Sequence, residues 1–449
     1  MLEQNLRRSV ADVPDPFGRE GSYASHFIAL FEESLPPLGI EPEFIRQSSR
    51  YRAGDYAAGI RRALEERETL RTILNAHRTQ PLDEDWLPLA GFCGACGRDE
   101  IAFTWPGEWT VAYRCQACDH EESLDLREGG SVKLPWRVDW PMRWCHEGVA
   151  FEPGGKDHSS AGGSYDTGRE IVKQVYKGEA PQYVGYDFVR VKGRGGKISS
   201  SSGDVVTVAD CLAIYEPEML RWIFASQRPG SEFQISFDLD VIKLYEDFDR
   251  ARRLAHEALD GSKADKKRDI TRRTFELSSV TATRIEPGSP VPFVPGFRGL
   301  SVVLQACDGD IDRSLARYEV LGEISTDEEK RMFRQRAECC WRWIEEYAPE
   351  DFCYRMRTKA VTRALSPSER KVLERLVGVL SDQPNISEAD LIPHMQALCE
   401  GTDLTLKTFC PIAYDLLIGR DKGPKLTTLL TTITGDRAVP LLSLSLESE

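Results

Sequence analysis

A chain of 449 residues is longer than one hydrophobic core organises, and it predicts two to four domains. Hydrophobic residues make up 41% and charged residues 29%, an ordinary globular mix, and no run of about 18 apolar residues offers a membrane-spanning helix. The net charge of −14 argues against a protein that holds nucleic acid by bulk charge, while leaving room for local basic faces.

The first ten residues hold Arg7 and Arg8 with no apolar run behind them, so no secretory signal is expected. Twelve cysteines in such a chain suit a reducing cytosol. Asp12-Val13-Pro14-Asp15-Pro16-Phe17-Gly18 is a turn-rich entry. Ser22 to Phe31 reads as a helix, with Tyr23, Phe27, Leu30 and Phe31 on one face. Asp15 and His26 could both reach a metal, or serve as a capping carboxylate and an ordinary histidine. Glu43 to Ser49 is expected to be a strand on the strength of Phe44 and Ile45. Tyr56 to Arg78 is helical, with Ile60, Leu64, Leu70, Ile73 and Leu74 recurring at helical intervals.

The most specific local signal follows. Cys93-Gly94-Ala95-Cys96 precedes Cys115-Gln116-Ala117-Cys118 by 18 intervening residues. That is the two-knuckle zinc spacing, and four thiolates close a tetrahedral site with no position left for water. The predicted role is therefore structural Zn2+. Ile101 to Trp105 and Thr110 to Arg114 read as short strands between the knuckles.

Leu134 to Trp144 carries Trp136, Trp140 and Trp144 at four-residue intervals with interleaved arginines. The pattern suits a core-lining segment, or a pocket wall for cations and alkyl chains. Val149 to Pro153 is a short strand that gives way to Gly154-Gly155-Lys156-Asp157-His158, as at a strand-end active site. Ser164 to Val175 is a helix and Pro181 to Val191 a strand. The latter leads into Gly193-Arg194-Gly195-Gly196-Lys197-Ile198-Ser199-Ser200-Ser201-Ser202-Gly203. Glycines, a lysine and serines in that order fit a phosphate cradle, and equally a flexible linker. Strand, helix, strand and glycine-rich loop suggest half of a doubly wound α/β domain.

Beyond the loop, Val205 to Ile214, Pro217 to Phe224 and Asp238 to Ala255 read as helices. Lys263, Lys266, Lys267, Arg268, Arg272 and Arg273, with Arg253 before them, form a basic run that suits phosphate or a solvated face. From Gly299 onward the patterns are almost wholly helical, including Ser301 to Cys307, Asp327 to Tyr347, Pro367 to Leu380 and Glu388 to Cys399. Leu441 onward is expected to be a frayed tail.

Taken together these segments resemble class I lysyl-tRNA synthetase, the archaeal-type enzyme. The resemblance rests on Val13 to Gly18, the cysteine knuckles, Trp136 to Pro141, Gly154 to Ser159, Gly163 to Asp166, Leu416 to Arg420 and Gly423 to Lys425. Lys197-Ile198-Ser199-Ser200-Ser201 is similar to the Lys-Met-Ser-Lys-Ser signature of class I synthetases in its lysine-specific form. Two departures stand out. Family members often carry Cys and His where this chain has Arg19 and Glu20, so no metal is expected beside Asp15 and His26. The His-Ile-Gly-His-type motif is not found among the seven histidines, and relative to the family the chain is expected to start after that motif.

The resemblance implies an α/β plus all-α architecture. Residues 1–85 would be the remainder of the first half of a Rossmann-like nucleotide fold, amino-terminally incomplete, and 86–130 an inserted zinc ribbon. Residues 131–225 would be the second half with the Lys197 loop, 226–298 a connecting helical domain, and 299–449 a helical anticodon-binding domain. It also implies cytoplasmic lysine–tRNA ligation in translation, using ATP, Mg2+, lysine and tRNA(Lys). Lys197, Ser199, Ser200 and Ser201 would hold phosphate. His158 with Asp157, Trp136 and Trp140 would line the lysine pocket, and Cys93, Cys96, Cys115 and Cys118 would hold zinc. A non-catalytic, tRNA-binding degenerate or truncated paralogue is the alternative, and a glutamate-specific enzyme a weaker third.

Overall fold

The computed structural model describes residues 3–193 and 205–447. Two compact units emerge: residues 1–190 with 227–233, and 191–226 with 234–449.

The first unit opens with helices α1 (Tyr23–Glu33), α2 (Gln47–Arg52), α3 (Ala57–Glu65) and α4 (Arg67–Asn75). The expected strand over Glu43 to Ser49 is not there. Phe44 and Ile45 stay exposed without a sheet partner, and the chain turns into α2 after Arg46. The single helix expected over Tyr56 to Arg78 is two, because Glu66 leaves helical geometry at φ −101°, ψ 20°. Both halves still direct Ile60, Leu64, Leu70, Ile73 and Leu74 into one core, as the periodicity requires.

Strands β1 (Ala90–Gly91), β2 (Ile101–Gly107), β3 (Thr110–Cys115), β4 (Glu121–Asp125) and β5 (Val132–Lys133) follow. β2, β3 and β4 form an antiparallel meander, and β1 pairs with β5. Helix α5 (Trp136–His146) leads to β6 (Phe151–Gly155), the one-turn helix α6 (Lys156–Ser159), α7 (Ser164–Gln174) and β7 (Gln182–Tyr186). β6 and β7 are parallel, with Gly154 opposite Gly185 and Gly155 opposite Tyr186. This strand–helix–strand crossover is the α/β element the sequence suggests. Gly168 lets α7 close on α5, since a Cβ there would come within 2.8 Å of the Trp144 ring. The chain passes between units within β8 (Val189–Val191) and β9 (Phe233–Ile235).

The second unit is helical. It comprises α8 (Val208–Ile214), α9 (Pro217–Ala225), α10 (Asp240–His256), α11 (Asp265–Ser278), α12 (Phe297–Ala306), α13 (Ile311–Val320), α14 (Asp327–Glu346), α15 (Pro367–Asp382), α16 (Glu388–Ala397), α17 (Leu406–Ile418) and α18 (Leu426–Glu447). The last four share a core built on Leu373, Leu376, Phe409, Leu417, Leu430 and Leu442. The tail expected to fray from Leu441 is the end of α18. Leu441 and Leu442 are buried, and the Ser445 hydroxyl donates to the Val361 carbonyl at 3.1 Å and accepts from the Arg363 N–H at 3.1 Å.

A charged centre holds the middle of this unit. The fully buried Arg336 of α14 donates Nε to Glu216 at 2.5 Å and a bidentate pair to Asp249 at 2.8 Å each. A fourth bond reaches the Pro295 carbonyl at 3.2 Å. All three guanidinium nitrogens donate, and two carboxylates balance the charge, which is the condition for tolerating a buried charge.

Candidate functional site

The four cysteines of the knuckles converge. Cys93 Sγ lies 3.7 Å from Cys118 Sγ, and Cys96 Sγ lies 3.6 Å from Cys115 Sγ. All four sulfurs fall within 4.8 Å of one another. A tetrahedral ion with metal–sulfur bonds of about 2.3 Å needs sulfur–sulfur edges of about 3.8 Å, so the spacing fits a metal such as zinc. Two matching turns make it so. The Gly97 N–H bonds the Cys93 carbonyl at 2.8 Å, and the Asp119 N–H bonds the Cys115 carbonyl at 3.0 Å. Burial opposes ionisation of Cys93, yet the Cys96 and Ala95 N–H groups and the neighbouring thiols hold it down at about 6. Cys118 is pushed up to about 12: the His120 N–H favours its thiolate, but burial and the thiols of Cys115, Cys96 and Cys93 outweigh it. Sulfurs this close do not all ionise unaided, and a divalent cation supplies the charge that lets them.

A second cluster forms at the carboxyl end of β6. Helix α5 begins at Trp136 behind Pro135, whose extended backbone starts the helix. Its i, i+4, i+8 spacing stacks Trp136 on Trp140 at 5.0 Å between ring centroids and sets Trp144 against Trp140 at 4.8 Å with the planes tilted by 55°. His158, on α6, lies 5.8 Å from the Trp136 ring and 5.7 Å from the Trp140 ring. Trp140 and Trp144 are buried, whereas Trp136 is 45% exposed. The two readings of this segment thus divide along the helix: the inner indoles line the core and the outer one borders solvent beside a histidine. Asp157 belongs to the same one-turn helix as His158.

Fixed polar contacts hold this arrangement. Trp144 donates Nε1 to Glu152 at 3.0 Å, and Arg143 donates Nε to Asp139 at 2.8 Å. Tyr51 donates to the other Asp139 oxygen, and burial first, then that carboxylate, pushes its hydroxyl pKa up. Gly154 is obligatory, because a Cβ there would occupy the Tyr183 hydroxyl. Ser159 Oγ lies 2.8 Å from that hydroxyl, and Tyr165 stacks on Tyr183 at 3.8 Å. Lys156 pairs with Asp187 at 2.8 Å, which raises the lysine and lowers the aspartate. Sequence reasoning passed over Ser159, Tyr165 and Tyr183 as site residues. Ser159 and Tyr165 lie within the resembling segments Gly154 to Ser159 and Gly163 to Asp166, and Tyr183 stands two residues before Gly185 in β7.

The Asp15 carboxylate accepts N–H bonds from Phe17 at 2.9 Å, Arg19 at 2.8 Å and Glu20 at 2.8 Å. Burial opposes its ionisation, but those three donors keep its pKa low. His26 Nδ1 lies 3.3 Å from it, and Arg19 pairs with Glu33. Three backbone N–H groups and His26 thus share this carboxylate. Among the described residues the four cysteines are the only group placed to hold a metal.

The family model described as tRNA synthetases class I (K) matches residues 1–281. The chain belongs to this class I (K) synthetase family. Among its relatives, a lysine–tRNA ligase of Borreliella burgdorferi is 39% identical over 440 residues, covering 97% of this chain and 82% of the relative. The lysine–tRNA ligase of Thermococcus kodakarensis is 35% identical over 449 residues, covering 98% and 84%. That of Streptomyces coelicolor is 32% identical over 498 residues, covering 98% and 83%.

For this synthetase, Lys197, Ser199, Ser200 and Ser201 lie outside the described residues. The described residues on either side are held by local contacts. Lys192 is held by Asp238 at 3.0 Å and by Asp240, and Gly193 takes a left-handed φ of 79°. On the far side Thr207 and Asp210 form a capping box that starts α8. The basic run is less available than its composition suggests. Arg268 is bound to Glu257, Asp260 and Asp265, Arg272 is buried with Asp269, and Arg273 pairs with Glu276. Lys263, Lys266 and Lys267 remain exposed. No helix among the described residues is long and apolar enough to cross a membrane.

Proposed function

We propose that this chain is a cytoplasmic lysine–tRNA ligase. Identity of 35–39% to curated lysine–tRNA ligases along nearly the whole chain carries the reading. Lysine's carboxylate attacks the α-phosphate of ATP and pyrophosphate leaves, and the terminal ribose hydroxyl of tRNA(Lys) then attacks the lysyl carbonyl of the resulting mixed anhydride, releasing AMP. Positioning and charge stabilisation dominate such a reaction. Lys197 stabilises the β- and γ-phosphates, with Ser199, Ser200 and Ser201 beside it and Mg2+ bound to the nucleotide. Trp136 and Trp140 wall the aliphatic chain of lysine, and His158 with Asp157 lines the polar end of that pocket. The closeness of the indoles to His158 supports this grouping. Cys93, Cys96, Cys115 and Cys118 hold one structural Zn2+, and the five-part layout from nucleotide fold to helical anticodon-binding end belongs to the same proposal.

The second reading is tRNA binding without aminoacylation. Lysine-dependent ATP–pyrophosphate exchange, run with and without tRNA, separates the two. Exchange supports the ligase. No exchange in either arm, alongside measurable tRNA binding, favours the binding protein.

A further inference from the structure

The two cysteine turns of the ribbon are built alike except at one N–H. In each, the N–H of the first cysteine bonds the carbonyl five residues on, Arg98 for Cys93 and His120 for Cys115, at 2.8 Å in both cases. In each, the carbonyl of that cysteine accepts from the residue four places on, Gly97 or Asp119. The N–H directly after the first cysteine differs. In the second turn it belongs to Gln116 and bonds a backbone carbonyl, that of Glu100, at 2.7 Å. In the first turn it belongs to Gly94 and bonds a side chain, the Tyr113 hydroxyl, also at 2.7 Å. Tyr113 stands on β3 two residues before Cys115, is 3% exposed, and packs in one cluster with Cys93 and Cys115. Its hydroxyl donates to the Glu122 carboxylate across the β3–β4 pair. The same carboxylate lies 3.6 Å from His120 Nε2. Gly94 makes the approach possible, because a Cβ there would come within 2.8 Å of Glu122 Oε2 and 3.3 Å of the hydroxyl.

The first turn thus depends on a side chain where the second depends on backbone. We propose that Tyr113, fixed by Glu122, is the positioning residue of the first cysteine turn and sets how firmly Cys93 and Cys96 keep a bound Zn2+. Groups outside the ligand shell orient the ligands, and their loss typically lowers metal affinity about 10- to 100-fold. Y113F keeps the ring in the cluster and leaves the Gly94 N–H without its protein acceptor. The second turn, whose corresponding N–H is met by the Glu100 carbonyl, keeps its geometry in that variant. The inference rests on the Zn2+ proposed above for the four cysteines.

The test measures zinc in the full chain and its equilibrium transfer to the chromogenic chelator pyridylazoresorcinol, then maps the cysteines that limiting iodoacetamide alkylates. The unaltered protein should start with about one zinc per chain, and none would overturn the Zn2+ reading and this inference with it. Y113F should hold zinc about 10- to 100-fold less tightly, and the added alkylation should fall on Cys93 and Cys96 ahead of Cys115 and Cys118. Unaltered zinc affinity in Y113F, beside an unaltered protein that holds zinc, would overturn the inference and leave the site standing. So would added alkylation spread evenly over the four cysteines, the result of a general loosening of the ribbon. E122A, which takes the carboxylate from the hydroxyl at a half-exposed position, decides the matter by the same two readouts if Y113F does not fold.

Discussion

Replacing Arg336 by methionine tests the buried charged centre of the helical unit. Methionine keeps most of the side-chain volume and removes every donor. Glu216, 5% exposed, and Asp249 then lose their ion-pair partner. Removing one partner of a buried pair costs about 3–5 kcal/mol, because the other charge stays buried and unpaired. The unit holding Arg336 comprises 36 + 216 = 252 residues, from 191–226 and 234–449. For that size each kcal/mol moves a melting transition by about 2–4 °C, so R336M should lower that unit's transition by about 6–20 °C. Differential scanning calorimetry reads this directly. The triple variant R336M/E216Q/D249N should recover most of the loss, because it removes the uncompensated charges along with the cation. An R336M transition within about 2 °C of the unaltered protein would refute the assignment of Arg336 as the electrostatic centre, as would a triple variant no better than the single.

Metal analysis of protein purified without chelator should return about one zinc per chain, and C115S should lose it; no zinc in the unaltered protein would defeat the four-cysteine assignment. K197A should slow lysine activation about 10²–10³-fold, the scale for one charge-stabilising donor, and an unchanged exchange rate would remove that role. W136A should raise the lysine KM more than it lowers kcat, since the half-exposed indole is proposed to hold substrate through contact alone; an unchanged KM in exchange assays counts against it. Glu329 accepts N–H bonds from Thr326, Ser325 and Phe293, which hold its carboxyl at about 2 in the folded protein. A depressed folded pKa gives stability that is present above the ordinary carboxylate range and lost as pH falls towards about 2. Urea midpoints should therefore fall more steeply below pH 5 for the unaltered protein than for E329Q, and parallel curves would contradict the capping role.

What the sequence made legible follows from how local the signal was. The cysteine pairs encode their site within two tight turns, so spacing alone located it. The tryptophans share one face of α5, whereas their spacing reads only as a core segment or a pocket wall and not as a helix, and His158 reaches that face because β6 ends in two glycines before a one-turn helix. The strand expected at Phe44 and Ile45 failed because two apolar residues do not make a strand without a neighbour to pair with. The end of α18 was misread because Ser443 and Ser445 alternate with leucines, a pattern that hides serine's ability to satisfy its hydroxyl on a carbonyl inside a helical core. The Arg336 centre had no local signature at all: its carboxylates lie 120 and 87 positions away in the chain.

The ladder of Trp136, Trp140 and Trp144 has an optical consequence. Indoles held 5.0 and 4.8 Å apart in fixed orientations behave as one coupled chromophore, and two rungs are sealed inside the protein. Only the Trp136 rung borders solvent, beside His158. Whatever settles on that rung changes the polarity around one member of the coupled set while the others stay constant. The near-ultraviolet circular dichroism and the intrinsic fluorescence of this chain thus carry an internal reference and a sensor on the same helix, so occupancy at the end of β6 can be followed without a label.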